Sequence, residues 1–368
     1  HNGRRRQRQM CIRDRVSLKY ISLLFSLIFS NLSGQTINRY GTTAANFLEI
    51  GVGSRATSMG DAYVAVANDV SSIYWNPAGL ASVSNSSALF MVQPWLVEID
   101  MLFAGGAVVV PNVGVIGLGI THLDYGEMDV TNLEYQDGTG ERFGASDMAA
   151  TLTFSRKIVS WFSFGSSMKY ISSNIWHSYA SAFAVDLGVL VNTKFFSFTG
   201  NEKDGMNIGM SISNYGTRMQ YDGIDSYQPI DISEFEEGNY GDVAGQFRTS
   251  EWELPLIFRI GFALKPIVSN MMNLTISADA LHPNNNAESV NIGAALDYKI
   301  PGFGQVSLTS GAKNGMKNIN SDGNDFSVSF GLGAKMFYLA NKSLSIDYTY
   351  KPMGILGNVQ MYTIGVSF

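Results

Sequence analysis

From Leu89 to Phe368 apolar and polar side chains alternate in one long segment after another. In the last segment Tyr362, Ile364, Val366 and Phe368 fall on one face, and Met361, Thr363, Gly365 and Ser367 on the other. Leu344, Ile346, Tyr348 and Tyr350 alternate with Ser345, Asp347 and Thr349. Phe326, Val328, Phe330 and Leu332 alternate with Ser327, Ser329, Gly331 and Gly333. Successive side chains of a strand point to opposite faces, so each segment has one greasy and one polar face. A soluble sandwich has the same period, but it seldom repeats it over so many segments of about ten residues, the length of a tilted strand that crosses a bilayer.

Composition supports a membrane reading. Hydrophobic residues make up 45% of the 368 and charged residues only 15%, where soluble domains carry about 25% charged. Beyond residue 34 no run of about 18 apolar residues occurs, which excludes helical spans. In lipid only helices and closed barrels satisfy their backbone polar groups. The predicted fold class is therefore all-β: a transmembrane antiparallel β-barrel of about 14 strands with a small N-terminal hatch. The 38 glycines and 12% aromatics suit curved strands and interfacial girdles.

Fourteen segments are expected: 89–96, 101–110, 114–123, 146–156, 162–171, 180–193, 206–214, 254–264, 273–281, 289–298, 305–311, 326–335, 344–350 and 359–368. An even number brings both ends of the barrel to one side. The three longest connections, 124–145, 215–253 and 312–325, then share the other side. Short periplasmic turns and long external loops are the rule for bacterial outer-membrane barrels, so the outer membrane is the expected location and its lipids the expected surroundings. A terminal aromatic, Phe368, resembles the signal read by barrel-assembly machinery.

The expected divisions are 1–34, adapter-derived residues plus a signal peptide; 35–88, a hatch or plug; and 89–368, the barrel. Residues 1–15 read as translated sequencing adapter or as a natural basic stretch. Ile21–Phe29 is a short apolar core, and Ser33 and Gly34 precede a cleavage point at Gln35. The sole cysteine, Cys11, lies in this leader, so no disulfide framework is expected. Residues 1–34 hold seven basic and one acidic residue, leaving 18 basic and 30 acidic in the body. That balance speaks against nucleic acid. His1, His122, His177 and His282 are scattered, and neither a zinc-protease, serine-hydrolase nor phosphate-loop pattern occurs. No enzyme activity, metal or cofactor is expected.

Residues 35–88 do not alternate. Ser54–Ala67 reads as a short helix capped by Ser54 or as a bent strand. In Trp75-Asn76-Pro77-Ala78-Gly79-Leu80, proline forces Asn76 out of helical geometry and Gly79 permits a tight return. Asn76, Pro77, Ala78 and Gly79 either gate a channel or fix the hatch, or form a turn that packs the plug. Arg55 and Asp61 either pair within the hatch or stand as solvated charges.

Arg55, Met59, Gly60, Asp61 and Ala62, followed by Trp75-Asn76-Pro77-Ala78-Gly79-Leu80, resemble the PorV/PorQ family of outer-membrane proteins. That family is related in fold to FadL-type transporters, which carry an Asn-Pro-Ala element in an N-terminal hatch. The resemblance spans Arg55 to Leu80 and implies a fourteen-stranded barrel with a hatch. For PorV-like members it further implies a part in type IX protein secretion, binding the C-terminal domains of cargo or a translocon. The alternative is a FadL-like transporter taking up a hydrophobic small molecule. The lumen faces read mostly as Ser, Gly, Thr and Asp, which weakens that alternative.

Lys169, Asp186, Arg259, Asp279, Asp297, Lys335 and Asp347 are the charges expected to face the lumen. They either line a polar path or bind a ligand, or they pair and brace a filled barrel. Loop 215–253 carries Asp222, Asp225, Asp231, Glu234, Glu236, Glu237, Asp242, Glu251 and Glu253 against Arg218 and Arg248. Aromatics, among them Tyr215, Tyr227, Phe247 and Trp252, are interleaved. The loop is either a partner surface or a solvated one.

Overall fold

The computed structural model describes residues 39–97, 99–197, 204–230, 243–313, 328–338 and 342–368. The leader, and the middle of the acidic loop from Asp231 to Asp242, lie outside the described residues. Among the described residues no helix is long and apolar enough to cross a membrane.

Among the described residues seventeen strands follow one another: β1 (Ser87–Pro94), β2 (Asp100–Val110), β3 (Gly114–Asp129), β4 (Arg142–Val159), β5 (Phe162–Ile175), β6 (Ser178–Asn192), β7 (Asn207–Gly216), β8 (Asp222–Gly223), β9 (Tyr227–Ile230), β10 (Val243–Gln246), β11 (Ile257–Val268), β12 (Met272–Pro283), β13 (Ser289–Ile300), β14 (Gly304–Ala312), β15 (Val328–Tyr338), β16 (Lys342–Pro352) and β17 (Asn358–Ser367). Fourteen of them, β1–β7 and β11–β17, pair antiparallel with their neighbours in order, β7 meeting β11. β1 pairs with β17, Ser87 opposite Ser367 and Val92 opposite Tyr362, and so closes the barrel. Each backbone edge is thereby satisfied, as a lipid environment demands. The three short strands lie within the long connection between β7 and β11: β8 pairs with the start of β6, and β9 and β10 form a separate hairpin.

The faces are those of an inside-out protein. Leu118, Met168 and Leu332 are 63%, 61% and 57% exposed on the outer surface, while Thr153, Asp186 and Asp279 inside are 0% exposed. In water such an outer surface would be an aggregation hazard; against acyl chains it is the matching solvent.

Several strands outrun the alternating pattern. β3 reaches Asp129 and β4 begins at Arg142, beyond a bulge between Asp124 and Glu127. Past the bilayer both faces meet water, so pairing continues without a greasy face to announce it.

Residues 39–86 fold inside the barrel. Two short helices, α1 (Ser54–Ser58) and α2 (Ser72–Trp75), are joined to 3₁₀ turns at Asn46–Glu49 and Pro77–Ser82. α1 settles the choice between helix and bent strand over its five residues, but Ser54 is not its cap. The preceding position is Gly53, and the Ser54 hydroxyl turns to the wall instead. Tyr74 and Trp75 pack edge to face, centroids 4.8 Å apart, and donate to the Leu48 and Val52 carbonyls at 3.0 and 2.7 Å. Burying aromatics with their polar ends satisfied gives this small body a core of its own.

The lumen has two characters. Around the hatch the wall is mostly Ser, Thr, Gly and charged, with an apolar contact where Ala107 and Val115 meet Val70, Ile73 and Leu80. On the long-loop side it is apolar: Met91, Met101, Phe103, Leu123, Ile171, Met219 and Met361 form one core with Phe47 and Leu48 of the hatch. There the wall departs from the mostly Ser, Gly, Thr and Asp lining that was expected. The same period-two code is satisfied by Met or Ser inward, so periodicity cannot separate a wet lumen from a filled one.

Candidate functional site

The hatch is tied to the wall nearly all the way round. Ser54 donates its backbone N–H to Thr363 Oγ1 at 3.0 Å, and its carbonyl accepts from Thr349 Oγ1 at 2.6 Å. The Ser329 hydroxyl lies 2.9 Å from the Thr57 carbonyl and 3.0 Å from that of Ser58, and Ser58 Oγ meets Thr309 Oγ1 at 2.6 Å. Ser277 donates to the Ala62 carbonyl at 2.7 Å, and the Val64 N–H to Asp279 Oδ2 at 2.8 Å. On the opposite wall, Ser155 Oγ accepts from Ala81 N at 3.1 Å and donates to the Ala78 carbonyl at 3.2 Å. These bonds supply the partners that short helices and irregular backbone otherwise lack.

Asn76 is buried at the centre of this system. Its Oδ1 accepts the Ala78 N–H at 3.1 Å, capping the 3₁₀ turn, and its backbone is extended as a residue before proline must be. Its Nδ2 donates to the hatch carbonyl of Val64 at 2.9 Å and to the wall carbonyl of Val189 at 3.0 Å. Pro77 and Ala78 seat against Gly165, where a Cβ would collide with the Pro77 carbonyl group. Gly79 lies just as close to the Ala67 backbone, and its N–H donates to the Asn76 carbonyl at 2.9 Å. Met59 is buried with its backbone against wall glycines 293 and 311, and Gly60, at φ +65°, rests on Ala312. Asp61 follows at φ +64°, an uncommon conformation for a side-chain-bearing residue.

Arg55 and Asp61 do not pair with each other. Each reaches the wall. Both Nη atoms of Arg55 lie 2.9 Å from Asp297, one on each carboxylate oxygen, and Ser307 supports both partners. Burial disfavours the guanidinium, but hydrogen bonds and charge from Asp297 outweigh it and raise its pKa. Asp61 meets Lys313 Nζ at 3.0 Å. Burial pushes its carboxyl up, yet Lys313 and Lys351 together hold it below the ordinary range.

The remaining charges fall into separate groups. Lys169 Nζ lies 2.7 Å from Asp186, and both join Asn214 at the β7 bulge. Arg259 is buried below the Tyr74 and Trp75 rings, 5.8 and 5.7 Å from their centroids, with Ser213 as hydrogen-bond partner. Asp279 and Asp297 hold the hatch as described. Asp347 is half-buried beside a cavity of about 330 Å³ at the short-turn end, which Lys335 also lines, its Nζ 5.7 Å from the Phe337 ring. A second cavity of about 590 Å³ opens at the same end between Arg55, Lys157, Lys265 and Asn207. Among the described residues no cluster of carboxylates, histidines or cysteines could hold a metal ion.

Sequence reasoning gave no role to the wall hydroxyls, Ser155, Ser277, Ser329, Thr349 and Thr363. Their inward parity was readable; that they face a folded plug was not.

The sequence pattern of a family described as type IX secretion system protein PorV matches residues 33–239, more than half of the chain. The chain belongs to the PorV family. No curated protein sequence matches it. Among solved structures it resembles the Ralstonia pickettii toluene transporter TbuX, with TM-score 0.51, 9% identity, and coverage of 86% of this chain and 97% of that one. The Pseudomonas putida toluene transporter TodX gives TM-score 0.51 at 10% identity, covering 86% and 96%. The CymD monoaromatic hydrocarbon channel gives 0.50 at 9%, covering 86% and 98%. Identity this low establishes shared fold alone. Family and fold together make the PorV-family chain an outer-membrane barrel protein.

Proposed function

We propose that this barrel serves type IX protein secretion as a closed docking platform, holding cargo C-terminal domains or a translocon component at its long-loop end. The observation that carries the reading is the ring of hydrogen bonds from Ser54 to Ala81, which pins the hatch across the lumen. A plug so anchored does not suit the barrel to passing a protein, which leaves the loop surface for handling one. That surface exposes Tyr179, Tyr215, Ile224, Tyr227, Phe247 and Trp252 among acidic residues. Aromatic clusters of this kind anchor protein interfaces.

A second reading has one observation in its favour. The apolar core of Met91, Met101, Phe103, Met219 and Met361 offers the side chains a hydrophobic molecule would meet, and methionines repack readily. Transport would require Phe47 and Leu48 to move aside.

A gentle detergent pull-down of the tagged protein from its native outer membrane, with mass spectrometry of proteins and extracted lipids, separates the two. The secretion reading expects exported proteins or a large translocon in the eluate, lost when Tyr215→Asp and Phe247→Asp are combined. A lone barrel carrying a hydrophobic small molecule would overturn it.

A further inference from the structure

The two ends of the barrel carry opposite charge. In the long connections and adjoining strand ends (94–100, 124–145, 172–179, 215–256, 282–288, 312–328 and 351–358) the described residues include twelve acidic and five basic side chains. In the short turns and their strand ends (110–114, 156–163, 192–206, 265–272, 299–304 and 335–343) they include seven basic, Arg156, Lys157, Lys194, Lys265, Lys299, Lys335 and Lys342, against Asp204. Barrels of this class turn their short connections toward the periplasm, where the membrane leaflet is built of phospholipid.

One cleft gathers this charge beside greasy surface. It lies between the turns at 269–271 and 301–303 and the end of β15, with a volume of about 550 Å³. Asn270, Lys299, Ile300, Phe303 and Phe337 line it, and no acidic residue does. Backbone hydrogen bonds fix its three walls to one another: Lys299 N–H to the Met271 carbonyl at 2.7 Å, Phe303 to Ile300 at 3.1 Å, and Phe337 to Phe303 at 3.4 Å. Phe303 and Phe337 are more than half exposed, with Met271 and Tyr338 beside them. An ammonium and an amide next to bare aromatic rings match a phosphodiester whose glycerol continues into acyl chains. Inorganic phosphate would use the cation and leave the rings unused.

We propose that this cleft is a headgroup site for an anionic phospholipid of the periplasmic leaflet, set within a cationic belt around the short-turn rim. It stands apart from the secretion reading and depends only on the short turns facing that leaflet.

The test uses the purified, folded protein in neutral detergent, given equal amounts of short-chain phosphatidylglycerol and phosphatidylcholine, with native mass spectrometry of what stays bound. Phosphatidylglycerol is expected in excess. Lys299→Glu should lower the ratio about five-fold, the weight of one surface cation, while Lys299→Arg and the loop-end control Arg218→Gln keep it. Heat-modifiable gel migration verifies that each variant is folded. Should Lys299→Glu fail to fold, a photo-crosslinking phosphatidylglycerol probe on the unaltered chain serves instead, and labelling of 299–304 is expected. Equal retention of the two lipids, an unchanged ratio in folded Lys299→Glu, displacement by excess inorganic phosphate, or labelling only elsewhere would overturn the proposal.

Discussion

Both terminal nitrogens of Arg55 lie 2.9 Å from the two carboxylate oxygens of Asp297, a fork-to-fork contact between the hatch and β13. The pair is mostly shielded, with side chains 26% and 12% exposed. Removing one partner strands the other, at a cost of about 3 kcal/mol. Arg55→Ala should therefore lower the thermal unfolding midpoint in detergent and open the hatch to protease. Arg55→Lys should recover part of the loss, because an ammonium keeps the charge but not the fork. If Asp297→Ala rescues Arg55→Ala, the energy is that of the pair; independent, additive losses would contradict this.

Gly188 faces Asn76 so closely that a methyl there would overlap the Asn76 amide oxygen. Gly188→Ala should cost about 1–3 kcal/mol through overpacking. Gly106, whose nearest atom to an added methyl is the Ser87 carbonyl at 3.8 Å, provides the contrast. Gly106→Ala should leave unfolding unchanged. Equal effects of the two would mean that the hatch does not seat against the wall as described.

Asn76 tests the tie itself. Asn76→Asp keeps the acceptor for Ala78 but loses both donations, to Val64 and Val189. Orphaned buried carbonyls cost about 1–3 kcal/mol, and an uncompensated carboxylate adds to that. The expected result is faster labelling of a cysteine placed at Ala78, measured against the Asn76 parent carrying the same cysteine. Unchanged labelling would place the anchor elsewhere.

Asp61 makes the hatch sensitive to acid. Its carboxyl is held below its ordinary value of about 3.9 by Lys313 and Lys351 against the opposing pull of burial. A depressed folded pKa contributes stability that is present above the ordinary value and fades as pH falls through the folded one. Asp61→Asn should accordingly be less stable than the parent at neutral pH. The gap should close below about pH 4, in unfolding curves taken across that window. A gap that persists into acid would assign the effect to packing.

The barrel was legible because a membrane strand must alternate along its whole length, and Tyr362 to Phe368 or Val328 to Leu332 leave little choice of face. The hatch was legible only as a break in that pattern with a distinctive Asn-Pro turn. Its wiring was not. Arg55 and Asp61 sit six residues apart and suggest a local pair, whereas their partners, Asp297 and Lys313, lie more than 240 residues downstream. No spacing rule reaches that far. The apolar loop-side lumen was hidden for another reason: Met91, Met101 and Met361 obey the same alternation as a serine would.

The closing seam has a consequence for how such a chain is made. β1 follows directly from the plug, yet the plug's own bonds to Thr349, Met361 and Thr363 belong to the last two strands. The fourteenth strand must zip against the first while the plug is already in place, like the last stave of a cask laid around its contents. A chain cut before Asn358 would lack that stave and the bonds of Ser54 to Met361 and Thr363, so the seam should stay open even though Thr349 and the other wall contacts still hold the plug.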